Sequence, residues 1–135
     1  MTLSEVMHVH IPTLSPESSY RDAVDKMDIY QFPALVIAGD GRKPLAVITE
    51  GDLARAASAN AGVDRLGGLK ALDFASREPV VSDMDVGVSE ALHLMLSKGL
   101  TILPVTHEGR LAGIVLRVDL MQALLTDAAS PSAED

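Results

Sequence analysis

The sequence predicts an α/β (α+β) chain built from two copies of one β-α-β-β-α unit, and three observations predict it. Short runs of Val, Ile, Leu and Ala alternate with longer segments whose apolar residues recur at helical spacing. The order of these segments occurs twice. A shift of 68 places Ala23 on Ala91, Met27 on Met95 and Gly41 on Gly109; a shift of 67, after one extra residue in the first hairpin, places Asp52 on Asp119, Leu53 on Leu120 and Ala56 on Ala123. Similarity at a fixed offset marks a tandem supersecondary unit. A unit with one short sheet cannot easily close its own core, so the two copies are expected to pack by a pseudo-twofold axis.

Taken from the N-terminus, Leu3, Val6 and Met7 fit one helical turn, residues 8–11 read as extended, and 12–16 as a turn region between prolines. Ser19 and Asp22 form a capping-box pattern ahead of the stripe Tyr20, Ala23, Val24 and Met27. A buried strand is predicted over 34–38, a tight turn at Gly39-Asp40-Gly41 because Asp-Gly accepts positive φ, and a strand over 45–48 that runs into a helix ending near Asn60. Small residues ending in Gly67-Gly68 read as a linker. The series then restarts: a helix striped by Val88, Ala91, Leu92 and Met95, a strand over 102–106, a turn at Glu108-Gly109, a strand over 111–116 and a helix over 119–125. Met27 and Met95 lie on helix stripes and are assigned to core packing. The domain reading is a first repeat with its lead-in over 1–60, a linker over 61–69, a second repeat over 70–127 and a disordered tail over 128–135.

Composition bounds the function. Hydrophobic residues make up 47% of the 135 and the mean hydropathy is +0.22, so part of the apolar surface is expected to close against a second copy as a homodimer. A net charge of −8, with two Phe, two Tyr and no Trp, opposes nucleic-acid binding, which needs a basic surface or stacking platforms. The absence of cysteine excludes disulfides, thiolate catalysis and cysteine-ligated zinc, and fits a reducing cytoplasm. No apolar run reaches membrane-spanning length and the first residues lack the basic start of a signal peptide. A cytoplasmic chain without membrane contact is expected.

The chemistry concentrates at the first strand-to-helix junction. Val47 and Ile48 suit the strand, Leu53, Ala56 and Ala57 the helix face, which puts Thr49 at the N-cap and Asp52 at the third helical position. A helix start offers unpaired N–H groups and partial positive charge to an anion. The same spacing is that of a capping box, in which the two side chains serve the helix alone.

The ordered set of helix stripes ending in Met27 and Met95, the run Gly99-Leu100-Thr101-Ile102-Leu103-Pro104, the strand Leu111-Ala112-Gly113-Ile114-Val115, and Asp52 and Asp119 at the two junctions resembles a pair of CBS domains, or Bateman module, over nearly the whole chain. The resemblance implies a stand-alone regulatory module: a cleft between the repeats that binds an adenosine-containing ligand (AMP, ADP, ATP or S-adenosylmethionine), a flat homodimer, and an effector protein, not identified by the sequence, that receives the signal. It implies that Thr49 bonds a phosphate or ribose oxygen and Asp52 accepts from ribose hydroxyls, with Val47, Pro79, Val80, Thr101, Ile102 and Pro104 walling the base. At the second junction Asp119 is kept, but Leu116 stands at the hydroxyl position and Val36 where the family usually has Pro. The first cleft is therefore the one expected to be competent. Arg55, Arg77 and Lys98 are the cations nearest the first site by sequence, and Arg117 is nearest the second.

Other constellations carry less. His8 and His10, two apart on an extended segment, could offer two imidazoles to one side, but no acidic residue or third histidine stands at a companion spacing, so no metal site is assigned. His93 and His107 are isolated. No Gly-x-Ser-x-Gly elbow, Walker loop or His-Glu-x-x-His pattern occurs, so no catalytic residue and no cofactor is expected, only a regulatory ligand. The competing reading is a ligand-free scaffold that only dimerises or docks a partner.

Overall fold

A computed structural model of the chain describes residues 1–59 and 65–129. It divides into two compact units, Pro12–Pro79 and Met1–Ile11 with Val80–Asp135. The units cut across the sequence repeats, because each takes the first helical turn of the other repeat.

In the Pro12–Pro79 unit, a sheet in the order β1-β2-β3-β4 comprises β1 (Thr13–Leu14), β2 (Ala34–Ala38), β3 (Pro44–Thr49) and β4 (Ser76–Arg77). β1 runs parallel to β2, and the other pairs are antiparallel. The prediction for 34–38 matches β2 residue for residue, since four consecutive buried apolar positions and a following glycine mark both ends. Helix α1 (Tyr20–Tyr30) starts at the predicted box: the Ser19 hydroxyl accepts the Asp22 N–H at 3.1 Å and Asp22 accepts the Ser19 N–H at 2.9 Å. The backbone bond from Ser19, then its hydroxyl, hold the Asp22 carboxyl below the ordinary carboxylate range. Helix α2 (Glu50–Ala59) continues from β3 without a break. Tyr20, Ala23, Met27, Leu35, Ile37, Ile48 and Leu53 form one core with Ala71.

Two expectations are corrected here. Residues 13–14, read as part of a turn region, form β1, because a two-residue parallel pairing is too short to leave a periodic signature. In the first hairpin the positive φ angles fall on Gly41 (64°) and Arg42 (61°) and not on Asp40. Of the segment read as a linker, residues 60–64 lie outside the described residues, as do 130–135 of the predicted tail. Leu66–Gly68 is a 3-10 turn, with Leu66 packed against the core.

Residues 69–77, beyond this turn, are structural too. Tyr20 N–H donates to the Leu69 carbonyl at 2.7 Å, Ala71 N–H to Ser18 at 2.9 Å, Ala71 is wholly buried, and β4 completes the sheet beside Ala46 and Val47. A fragment spanning 12–79 should therefore melt cooperatively, whereas a fragment cut at the repeat boundary, 1–60, should not. Circular dichroism melts of the two fragments check this, and cooperative melting of 1–60 would contradict it.

The other unit repeats the plan. Its sheet, in the order β5-β6-β7, comprises β5 (Ser82–Asp83), β6 (Ile102–His107) and β7 (Arg110–Leu116), with helices α3 (Val88–Lys98) and α4 (Arg117–Ala129). The β6–β7 hairpin turns on Glu108 (φ 53°) and Gly109 (φ 77°), as the sequence predicts. Val88, Ala91, Met95, Leu103, Val115 and Leu120 form the core, and Leu3, from a 3-10 turn over Leu3–Glu5 where the sequence predicts a helical turn over 3–7, is wholly buried in it. Segment 8–11, read as extended, forms no strand; only His8 pairs with β7, as an isolated antiparallel bridge to Ile114. Among the described residues no helix is long and apolar enough to cross a membrane.

Candidate functional site

At the first junction, β3 ends on Thr49, opposite Ala34 of β2, and the next residue ties the turn down: Glu50 N–H donates to the Pro33 carbonyl at 2.9 Å. Thr49 and Asp52 form a complete capping box. The Thr49 hydroxyl accepts the Asp52 N–H at 3.1 Å, and Asp52 Oδ2 accepts the Thr49 N–H at 2.9 Å. The other carboxylate oxygen, Oδ1, accepts from Arg55 Nη2 at 2.6 Å. The Asp52 side chain is 14% exposed and that of Arg55 74%, so the carboxylate is fixed while its cation lies on the surface. A Cβ at Gly51 would stand 3.1 Å from Arg55 Nη1, the end of an exposed side chain that can move aside. Val47 lies two residues back on β3, half-buried, on the same face of the strand as Thr49.

The second junction keeps half of this arrangement. Leu116 N–H donates to Asp119 Oδ2 at 2.8 Å, matching the Thr49 to Asp52 bond, but Leu116 has no hydroxyl to complete the box. The same Oδ2 receives His8 Nε2 at 2.9 Å. Sequence spacing could not find this contact, since the pair is separated by 111 residues.

The remaining residues named from the sequence divide between the units. Pro79 closes the Pro12–Pro79 unit, half-buried. In the other, Val80 packs half-buried against the core, Thr101 is half-buried before β6, Ile102 is buried opposite Leu116, and Pro104 is fully buried opposite Ile114. Thr49, Asp52 and Val47 thus share one junction, and Ile102, Leu116 and Asp119 share the other. Of the cations, Arg55 reaches its junction; Arg77, Lys98 and Arg117 are exposed. His10, His93 and His107 are exposed, and no group of three or more metal-ligating side chains occurs among the described residues. The His8–Asp119 contact is marked by no local feature of the sequence.

The family model described as CBS domain matches residues 3–59 and 71–126. Among curated proteins, arabinose 5-phosphate isomerase of Yersinia pestis is 31% identical over 125 residues, 91% of this chain and 37% of that protein. An uncharacterized protein of Methanopyrus kandleri is 30% identical over 90% of this chain and 62% of its own length. The chain thus spans less than two-thirds of either relative. Among solved structures, CBSX2 from Arabidopsis thaliana has a TM-score of 0.84 at 20% identity, covering 96% of this chain and 97% of that one. CBSX2 in complex with AMP gives 0.80 at 22% identity, covering 93% and 96%.

Proposed function

Because this chain belongs to the CBS-domain family as a tandem pair, we propose that it is a cytoplasmic regulatory module that takes an adenosine-containing ligand at the Thr49–Asp52 junction and passes the change to a partner protein. One observation carries this reading. Asp52 spends one carboxylate oxygen on the cap and holds the other under an exposed guanidinium that can leave at little cost. An exposed ion pair of this kind is worth about 0–1 kcal/mol. Ribose hydroxyls donating to that oxygen would make charge-assisted bonds, roughly twice as strong as neutral ones. The Thr49 hydroxyl, while accepting from Asp52, still carries a hydrogen to donate to a phosphate oxygen. Arg55, released from Asp52, supplies the cation that a phosphate group needs and that a sulfonium group does not. AMP, ADP and ATP are thereby favoured over S-adenosylmethionine. The solved complex of CBSX2 with AMP, a protein of the same fold, supports the choice.

A second reading, the ligand-free scaffold, is favoured by the completeness of the cap: Thr49 and Asp52 satisfy each other with nothing bound. Thermal unfolding with AMP, ADP, ATP and S-adenosylmethionine separates the two. A rise in Tm with a nucleotide supports the regulatory module, and no rise with any of the four supports the scaffold. The proposal gives the chain no catalytic role, and turnover of any of the four would overturn it.

We also propose that the chain pairs with a second copy. In the Pro12–Pro79 unit, α1 and α2 flank an open groove of about 480 Å³ lined by Val24, Met27, Phe32 and Leu53, and Ile29 of α1 is 71% exposed. In the other unit Val118, Met121 and Leu125 lie exposed along α4. Exposed apolar faces of this kind are the usual signature of association. Light scattering at micromolar concentration should give twice 14.3 kDa, and a mass of 14.3 kDa would contradict the pairing.

A further inference from the structure

The duplication lets the helix faces of the two units be compared position by position. Shifts of 68 and 67 place Asp28 on Leu96, Glu50 on Arg117, Gly51 on Val118, Ala54 on Met121 and Ser58 on Leu125. In the Pro12–Pro79 unit this face is a recess: Glu50 and Ala54 of α2 and Asp28 of α1 line the groove of about 480 Å³, whose charged lining residues, Asp28 and Glu50, are both acidic. In the other unit the corresponding positions carry bulk. Leu96 of α3 and Val118, Met121 and Leu125 of α4 are exposed, and Arg117 is exposed one turn before Met121. Residues 117, 118, 121 and 125 fall on one helix stripe. Small and acidic residues on one face thus answer to large apolar residues and a cation on the other.

We propose that in the paired chain the groove of each copy receives the α4 face of the other, so that the two copies lie antiparallel. This rests on the pairing proposed above and adds which surfaces meet. A like-to-like pairing would set Glu50 and Asp28 against the same acids of the second copy, set Arg117 against Arg117, and offer only Gly51, Ala54 and Ser58 to fill the groove. In the antiparallel arrangement Met121 and Leu125 supply the volume that the groove lacks, and Arg117 meets Glu50 and Asp28. Burial of the apolar side chains drives the contact, and the opposed charges reject the like-to-like register. About a twofold axis the same contact is made twice, which closes the pair.

The chain has no cysteine, so Ala54→Cys and Met121→Cys, each at an exposed position, report the contact without background. A disulfide needs Cα atoms within about 7 Å. Mild oxidation of the mixed variants, after subunit exchange, should give a cross-linked dimer on a non-reducing gel, and each variant alone should stay unlinked. Bridging within either variant alone, or none in the mixture while light scattering gives twice 14.3 kDa, overturns the antiparallel arrangement and leaves the pairing standing. A mass of 14.3 kDa for the wild-type chain overturns the pairing and this inference with it. Charge reversal reads the same contact without cysteines. Glu50→Arg alone and Arg117→Glu alone should each loosen the dimer about tenfold or more, because each sets like charges together, and an equimolar mixture of the two should restore it. A dimer of undiminished affinity from either variant alone would overturn the proposal.

Discussion

Asp52→Ala abolishes the ligand-dependent rise in Tm, on the proposal that this carboxylate receives the ribose. In the wild-type chain, ligand at about a hundred times Kd adds roughly 2.7 kcal/mol, a shift on the order of 10 °C for a domain of this size. Alanine removes both acceptor oxygens, so the Thr49 N–H loses its cap and Arg55 its partner. The unliganded chain should lose about 1 kcal/mol from the cap. Asp52→Asn separates the two roles. Its amide oxygen still accepts the Thr49 N–H, so the unliganded Tm stays near wild type, while the charge that strengthens the ribose bonds is gone. Differential scanning fluorimetry of both variants with and without AMP reads the outcome. A ligand shift that survives Asp52→Ala would remove the site from this junction.

The other large effect lies away from the ligand. Gly113→Ala puts a Cβ against backbone, 2.5 Å from the His8 carbonyl oxygen, where no rotamer change can relieve it. Either β7 shifts within the core or the first segment lifts off. Overpacking of this kind costs about 1–3 kcal/mol, and loss of the two His8–Ile114 bonds adds roughly 1 kcal/mol each. Denaturant melts should show the loss, and hydrogen exchange should accelerate at the His8 and Ile114 amides. Gly68→Ala, which meets nothing within 4 Å, serves as the control and should change stability by less than about 0.5 kcal/mol. Unchanged exchange at His8 in Gly113→Ala would mean that the crossing is not held as described.

The amino-acid order by itself determined what is local or periodic. The Ser19–Asp22 and Thr49–Asp52 boxes are contacts over three residues, so donor and acceptor types at that spacing settle them before any packing. β2, the α1 and α3 stripes and the Glu108-Gly109 turn arise from burial periodicity and from the φ angles that glycine permits. Duplication was legible for the same reason, since like segments recur at a constant offset. The tertiary path alone decided the rest. Leu3 and Ala71, equivalent in the two repeats, each pack into the core built mainly by the other repeat, and no local preference specifies where a short turn travels. β1 exists only because β2 lies alongside it. His8 reads in sequence as the partner of His10 on an extended segment, and it meets Asp119 only because β7 and a side-chain-free Gly113 bring two points 111 residues apart within hydrogen-bond reach. Such contacts depend on chain closure over long separations, where the residues at either end carry no mark of each other.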